Sequence, residues 1–330
     1  MEYPKTLLEA IQYFSDEQVC IDFVAAMKWP DGKPTCPDCA FNGPVEAKEP
    51  YYLKAQKRWK CRDCGRQFSV KVHTIFEDSP IPLQKWLPAM WLLANCKNGI
   101  SSYEIHRALG VTQKTAWFML QRIRLAFQNG NLAKMGGKGR VVEADETFIG
   151  PDPRKMHEKR RRKLQTGQFG GYQKAIVMGM LDRDAREVRA KVIPNVKRET
   201  LMHQIFKGIE GGSEVHTDQA VGYDSLAHSH FVHETINHTK EYVRGQVHTQ
   251  NLDNFWSLLK RGLTGTYVAV EPFHLDRYVT EQAFRYNNRA TPDNPLTDAD
   301  RFALAVSQIS NKRLTYKELT GKDEERSEPF

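Results

Sequence analysis

No stretch of this 330-residue chain reaches 18 consecutive apolar residues, so no membrane-spanning helix is expected. The opening residues, MEYPKTLLEAIQYFSDEQ, lack the basic start and apolar run of a secretory leader. A cytoplasmic protein is therefore expected. No internal repeat is present. Acids are in deficit: 40 Asp and Glu face 48 Lys and Arg, a formal net charge of +8. A basic surplus of this size suits a polyanionic partner, most often nucleic acid. Hydrophobic residues at 40% and aromatics at 10% exclude a disordered chain, and the length accommodates two or three domains.

Cysteines are few, but four of the six are arranged in pairs: Cys36-Pro-Asp-Cys39 and Cys61-Arg-Asp-Cys64. A CxxC turn aims two thiolates at one point, and two such turns complete a tetrahedral zinc site. In a reducing compartment disulfides are not expected. With all four positions supplied by protein, the metal would be structural. Gly65 gives the second turn its permissive backbone. The flanks YYLKAQKRWKC and RQFSV read as short strands. Cys20 and Cys96 lie among apolar residues and read as packed thiols.

PLQKWLPAMWLLANC carries Leu83, Trp86, Leu87, Met90 and Leu93 at helical spacing. GISSYEIHRALGVTQKTAWFMLQRIRLAF then reads as helix, turn, helix. Ser101 and Glu104 form a capping box, Gly110 ends the first helix, and Thr112 caps the second. Such a pair is expected to act as a helix-turn-helix on DNA. Gln113, Lys114 and Thr115 are the candidates for base contact. Arg122 and Arg124 are expected on the exposed face, Arg122 as a DNA contact.

QNGNLAKMGGKGR reads as a linker, and beyond it the pattern turns to strands. RVVEADETFIG, KAIVMGMLDR and EVRAKVIPNV are three strands. RETLMHQIFKGI is a helix, SEVHTDQAVGYDSL a strand running into a loop and short helix, and FVHETIN an edge strand. HTQNLDNFWSLLKRG and PFHLDRYVTEQAFRYNNR complete the set as helices. The order is that of an α/β domain with a mixed sheet. The expected divisions are an N-terminal helical segment (1–30), zinc ribbon (31–75), helix-turn-helix (80–127), linker (128–139), catalytic domain (140–290) and tail (291–330). The insertion PDPRKMHEKRRRKLQTGQFGGYQ is strongly basic, and Arg160, Arg161 and Arg162 read as a DNA clamp.

Two carboxylates fall on strands, Asp145 in EADET and Asp218 in HTDQA. A strand-helix-strand crossover would set these strands side by side with the acids at a common edge. Asp253 follows on a helix, with Lys260 seven residues later on the same face, about 10 Å along the axis. Three gathered acids repel unless cations neutralise them, and hard divalent ions such as Mg²⁺ take oxygen ligands. Two such ions suit in-line phosphoryl displacement. Lys260 and Arg261 would then hold DNA phosphates. Glu143 and Glu146 flank Asp145, and alternation along the strand is expected to send both to the opposite face. Asp224 reads as a helix cap, His216 and His248 as structural, Trp256 as core, and Tyr286, Asn287 and Arg289 as lining a DNA channel.

CPDC…CRDCGRQFSV, VEADETFIG, VHTDQAVGYDSL and the stretch from HTKEYVRGQ to FRYNNR occur together in one order over residues 15 to 290. In this combination the chain resembles the IS1595 (ISXO2-like) family of bacterial insertion-sequence transposases. The resemblance implies an RNase H-like catalytic domain of DDE type. Asp145, Asp218 and Asp253 would be its three acids and Lys260 its basic residue, with Mg²⁺ or Mn²⁺ as cofactor. It implies cleavage of transposon ends, transfer of their 3′-hydroxyls to target DNA, assembly as a homo-oligomer on two ends, and association with the nucleoid. The third acid resembles glutamate in many relatives and asparagine in some. Here Asp253 is followed by Asn254, which stands as the rival third ligand. A DNA-binding relative without activity and a nuclease on the same fold are the alternative functions.

Overall fold

The computed structural model describes residues 4–39, 48–128, 130, 133–150, 157–158, 174–218, 222–223, 226, 229–236 and 248–321. Two compact units result, one from Met1–Asn129 with Asn288–Phe330, the other from Gly130–Asn287. The basic clamp residues Arg160, Arg161 and Arg162, and the cap Asp224, lie outside the described residues.

The first unit begins with α1 (Leu7–Tyr13) and α2 (Glu17–Lys28). Thr6 and Asp16 start these helices by accepting hydrogen bonds from Glu9 N and Val19 N, amides that have no partner inside the helix. A three-stranded antiparallel sheet follows: β1 (Tyr51–Leu53), β2 (Arg58–Lys60) and β3 (Gln67–Phe68). The stretch before the second cysteine pair is thus a hairpin. Trp59, buried on β2, packs edge-on against Trp29 at 5.1 Å and lies over Phe68 at 6.3 Å.

Next come α3 (Leu83–Asn95), α4 (Ser102–Leu109) and α5 (Gln113–Ala126). The apolar period of α3 faces inward, with Leu83, Trp86, Leu87, Met90 and Leu93 all buried. Ser101 and Glu104 close a full capping box on α4, and Gly110 ends it in the left-handed conformation at φ +60°. Thr112 caps α5, so three residues separate the two helices.

The second unit is built on a sheet of order β10-β9-β5-β6-β7. Its strands are β5 (Val141–Ile149), β6 (Ala175–Asp182), β7 (Glu187–Ile193), β9 (Glu214–Asp218) and β10 (Val232–Ile236). Two short strands, β4 (Met135–Gly136) and β8 (Ile209–Glu210), pair apart from it. The first three long strands form an antiparallel meander, and β9 and β10 then add in parallel. Between β7 and β9 runs α6 (Arg198–Gly208). Helices α7 (Gln250–Gly262) and α8 (Leu275–Asn287) follow β10.

Side-chain alternation divides the core into two layers. Val142 and Ala144 of β5 pack with Leu201 and Ile205 of α6. On the other face Val177 and Leu181 of β6 pack with Leu252, Phe255 and Trp256 of α7 and Val279 of α8. The edge strand β7 finds hydrogen-bond partners on α8. Val188 N donates to Asn287 Oδ1 at 2.7 Å, Asn287 Nδ2 donates to Val188 O at 2.8 Å, and Val192 N donates to Asp276 Oδ1 at 3.0 Å. Asn287 is therefore committed to the sheet, and Tyr286 is buried, donating to Asn251 O at 3.3 Å. Arg289, expected with them to line a DNA channel, belongs to the first unit.

Residues 291–321 of the segment expected as a tail are structured. Within the first unit α9 (Asp298–Ser307) places Phe302 5.7 Å from Phe23 and 5.1 Å from Trp91. A final turn, α10 (Tyr316–Leu319), sets Tyr316 beneath Lys114, whose ammonium lies 4.6 Å from the ring centre. Apolar residues at helical spacing gave residues 298–319 something to bury. None of the described helices is long and apolar enough to cross a membrane.

Candidate active site

Strand register brings the first two acids to one end of the sheet. Val142 is paired with Val215, and Glu143 with His216, in the parallel ladder of β5 and β9. Two residues further along each strand stand Asp145 and Asp218, on adjacent strands at matching height. Asp145 is also directly across from Gly179 of β6. Both Asp145 and Gly179 point toward α7, the helix that carries Asp253.

The physical link between strand and helix is Trp256. Its indole Nε1 donates to Asp145 Oδ2 at 2.8 Å, while its ring is buried in the layer beneath. A Cβ at Gly179 would come within 2.7 Å of the Trp256 ring and 3.0 Å of Leu252. Glycine in the middle of this strand is thus what lets the indole approach close enough to reach the carboxylate. Trp256 was expected as core alone. An indole N–H must find an acceptor when buried, and that rule could have flagged it.

Burial raises the Asp145 carboxyl from 3.8 to about 6, the Trp256 hydrogen bond opposes the shift, and the charges of Asp218 and Asp253 add to it. Glu146 rises to about 8, first through burial and then through Asp145 and Asp218. Its side chain lies on the opposite face of β5 and accepts a hydrogen bond from Tyr223. Glu143 does not follow the expectation. It is two residues from Asp145, so alternation sends it to the same face, toward α7. There its carboxylate accepts from Arg183 Nε at 2.7 Å and from Leu252 N at 3.2 Å.

On α7, Asp253, Asn254, Lys260 and Arg261 are exposed while Leu252, Phe255, Trp256 and Leu259 are buried. Buried His216 meets Glu214 Oε1 at 2.7 Å. Half-buried His248 stands 3.5 Å from Glu143, and burial, with the Arg183 charge, holds it below the usual histidine range. Among the described residues, the four cysteines are the group of metal-ligand side chains gathered within 4.8 Å of one another. Asp145, Asp218 and Asp253 do not close into a second such group.

The cysteine group has the dimensions zinc needs. Cys36 and Cys64 Sγ are 3.6 Å apart, and Cys39 and Cys61 Sγ 3.8 Å. Four thiolates about 2.3 Å from a tetrahedral zinc would stand about 3.8 Å from one another. Although burial raises Cys61, hydrogen bonds from the Cys64 and Asp63 amides bring it down to about 7, while contacts with the neighbouring thiols push Cys39 up to about 12, so the four thiols share their protons. Cys61 N also closes the turn on Arg66 O at 2.9 Å, with Gly65 at φ +72°.

In the first unit, the expected DNA contacts divide. Lys114 is exposed, and Thr115 and Gln113 are half-buried, Gln113 Nε2 donating to Ser102 Oγ at 2.9 Å. Arg122 is a correction. It is buried, donating to Leu314 O, Ile75 O and Glu77 O at 2.7 to 3.0 Å. Arg124, also expected on the exposed face, is buried as well. A long cation can satisfy several stray carbonyls at once, and here that use replaces surface exposure.

Comparison with known proteins agrees with these features. The ISXO2-like transposase domain profile matches residues 136–287, and the transposase zinc-ribbon domain profile matches residues 15–67. A Halobacterium salinarum protein described as "Uncharacterized protein in transposable element ISH50" is 27% identical over 263 residues, 77% of this chain and 85% of that protein. A Haemophilus influenzae "Uncharacterized transposase-like protein" is 32% identical over 102 residues, 31% of this chain and 82% of its own length. One solved structure, a simian T-cell lymphotropic virus intasome with PP2A regulatory subunit B56 gamma, is similar at 12% identity and a TM-score of 0.30 over 66% of this chain and 74% of that one, too slight a likeness to carry weight. One profile covers the cysteine cluster and the other the mixed sheet, and with the 32% identical relative they show that the chain belongs to the IS1595 family of transposases.

Proposed function

We propose that this transposase cleaves DNA at the ends of its element and transfers the 3′ ends to target DNA, with Asp145, Asp218 and Asp253 as its metal-binding acids. The observation that carries this reading is the hydrogen bond from Trp256 to Asp145, which ties the helix bearing Asp253 to the strand bearing Asp145. The strand order, a meander of three with two parallel strands added beside the first, supports an RNase H-like fold. Asp253 precedes Trp256 by three residues and Lys260 by seven, so all three share a helix face. Asn254 is offset by about 100° and has the weaker claim as third ligand.

The donor set suits a hard divalent cation. Half-buried Asp145 is raised to about 6 by desolvation and by two neighbouring acids, an arrangement that a cation would relieve. Mg²⁺ or Mn²⁺, when bound, supplies charge to activate the attacking oxygen and to stabilise the leaving one. The chain's own part is to hold the acids in place. Trp256 occupies one oxygen of Asp145 and orients the other, burial limits water, and Lys260 and Arg261 stand exposed to receive phosphates. The helices α4 and α5 act as a helix-turn-helix with Lys114, Gln113 and Thr115 toward DNA, beside a ribbon closed by structural zinc. Two chains hold two ends.

The test is metal-dependent cleavage and strand transfer on DNA carrying the element's ends, comparing the wild type with Asp253→Asn and Asp253→Glu. Cutting and joining by the wild type, loss with Asn and retention with Glu support the reading. Tight end binding with no cleavage by any of the three would overturn it in favour of a DNA-binding relative, and cleavage without joined products would point to a nuclease.

A further inference from the structure

Glu143 is fully buried, and nothing in the proposed chemistry uses it. A buried carboxylate is costly unless paired and hydrogen-bonded, so its partners indicate its role. Arg183 Nε and Asn251 Nδ2 each donate to Oε1 at 2.7 Å, and Leu252 N donates to Oε2 at 3.2 Å. His248 Nδ1 stands 3.5 Å from Oε1. Arg183 reaches further and donates to His248 O at 2.7 Å. Every one of these partners except Arg183 lies at, or just before, the first turn of α7.

That first turn needs outside help. Thr249 at the N-cap makes no side-chain capping hydrogen bond. The amides that open a helix have no partner within it, and the positive end of the helix favours a carboxylate. Glu143 meets both needs from the neighbouring strand. Leu252, whose amide it holds, is the residue immediately before Asp253. Glu143 is also two residues from Asp145 on the same face of β5. One short piece of strand thus carries a proposed ligand and grips the helix turn that carries another.

We propose that Glu143, backed by Arg183, is a positioning residue that sets where Asp253 stands relative to Asp145. The inference rests on the reading of these two aspartates as metal ligands. Loss of a carboxylate that served only to stabilise the fold would lower the melting temperature but leave the metal affinity of the folded protein unchanged. Loss of a positioning residue changes the affinity, and does so only while Asp253 is there to be positioned.

The experiment is calorimetric titration of Mn²⁺ into the full-length, zinc-loaded chain. It compares the wild type, Glu143→Gln, Asp253→Asn and the double variant. Glu143→Gln is expected to weaken Mn²⁺ binding about tenfold, in the range seen for supporting partners of metal ligands. In the Asp253→Asn background the same change is expected to have no further effect. Wild-type affinity in Glu143→Gln, or an equal loss in both backgrounds, would overturn the inference while leaving the ligand reading intact. If Asp253→Asn itself binds Mn²⁺ like the wild type, it is the ligand reading that fails. Should Glu143→Gln not fold, Asn251→Ala removes one donor and keeps the Glu143–Arg183 ion pair. A loss of a few-fold confined to the Asp253 background then supports the proposal, and unchanged affinity overturns it.

Discussion

The indole of Trp256 donates to Asp145 Oδ2 at 2.8 Å across 111 positions of sequence, joining α7 to the centre of the sheet. Trp256→Phe keeps the ring in its pocket and removes the donor alone. We expect cleavage to fall about tenfold or more, as for other groups that orient a metal ligand. The hydrogen bond lowers the Asp145 carboxyl, so its loss should also move the acid limb of the pH–rate profile to higher pH. An unchanged profile with unchanged rate would show that the contact is packing only.

Gly179 tests the same contact from the other side. In Gly179→Ala the new methyl meets the Trp256 ring within 2.7 Å. Overpacking of this kind costs about 1–3 kcal/mol and must displace the ring or the strand. The melting temperature and cleavage should fall together. Gly208→Ala is the control, because its methyl would meet the far end of the Met180 side chain, which can move aside.

A pH dependence follows from Asp145. Its folded carboxyl sits at about 6, above the usual 3.8. The folded state therefore binds the proton more tightly than the unfolded one, and the ionised group costs stability above about pH 6. That cost is relieved as pH falls from about 6 to about 4. In metal-free protein Asp145→Asn should be more stable than the wild type at pH 7.5, by up to about 3 kcal/mol. The gap should close by about pH 4.5 and also on saturation with Mg²⁺. Denaturant melts at several pH values would check this, and a gap that widens in acid would contradict it.

Two basic residues of α5 should behave in opposite ways. Arg122→Ala leaves three backbone carbonyls without their partner and should destabilise the first unit by about 3 kcal/mol, with the DNA affinity of the folded protein unchanged. Lys114→Ala should leave stability nearly constant and weaken binding to the element's ends. The slope of log affinity against log salt should fall by about 1.

Zinc content should track the cysteine group. Cys61→Ser is expected to abolish zinc binding, which native mass spectrometry would check, and with it the ordered ribbon and the binding of DNA ends. Full retention of zinc in this variant would rule out the four-cysteine site.

Local chemistry was legible from residue order alone. The CxxC pairs, the capping box at Ser101, the glycine at 110 and the periodicities of α3 and β5 depend on neighbours a few positions apart, where the backbone itself sets the geometry. The adjacency of the strands bearing Asp145 and Asp218 also followed, since a helical crossover returns the chain to a parallel neighbour. The face of Glu143 was within reach of the same period-of-two arithmetic, which places it with Asp145 and not, as expected, opposite.

Other features were decided by the tertiary structure. Arg122 has the spacing of an exposed basic residue, yet it is buried because Leu314 O, 192 positions away, comes to lie beside it. Helix α9, within the segment expected as a tail, packs Phe302 against Phe23 in the first unit. The approach of Trp256 to Asp145 depends on a missing side chain at Gly179, on a third element. Each is a long-range coincidence of a polar group or a cavity with its partner. Sequence spacing encodes direction along one element, and only the packing of several elements determines what stands at the other end of a side chain.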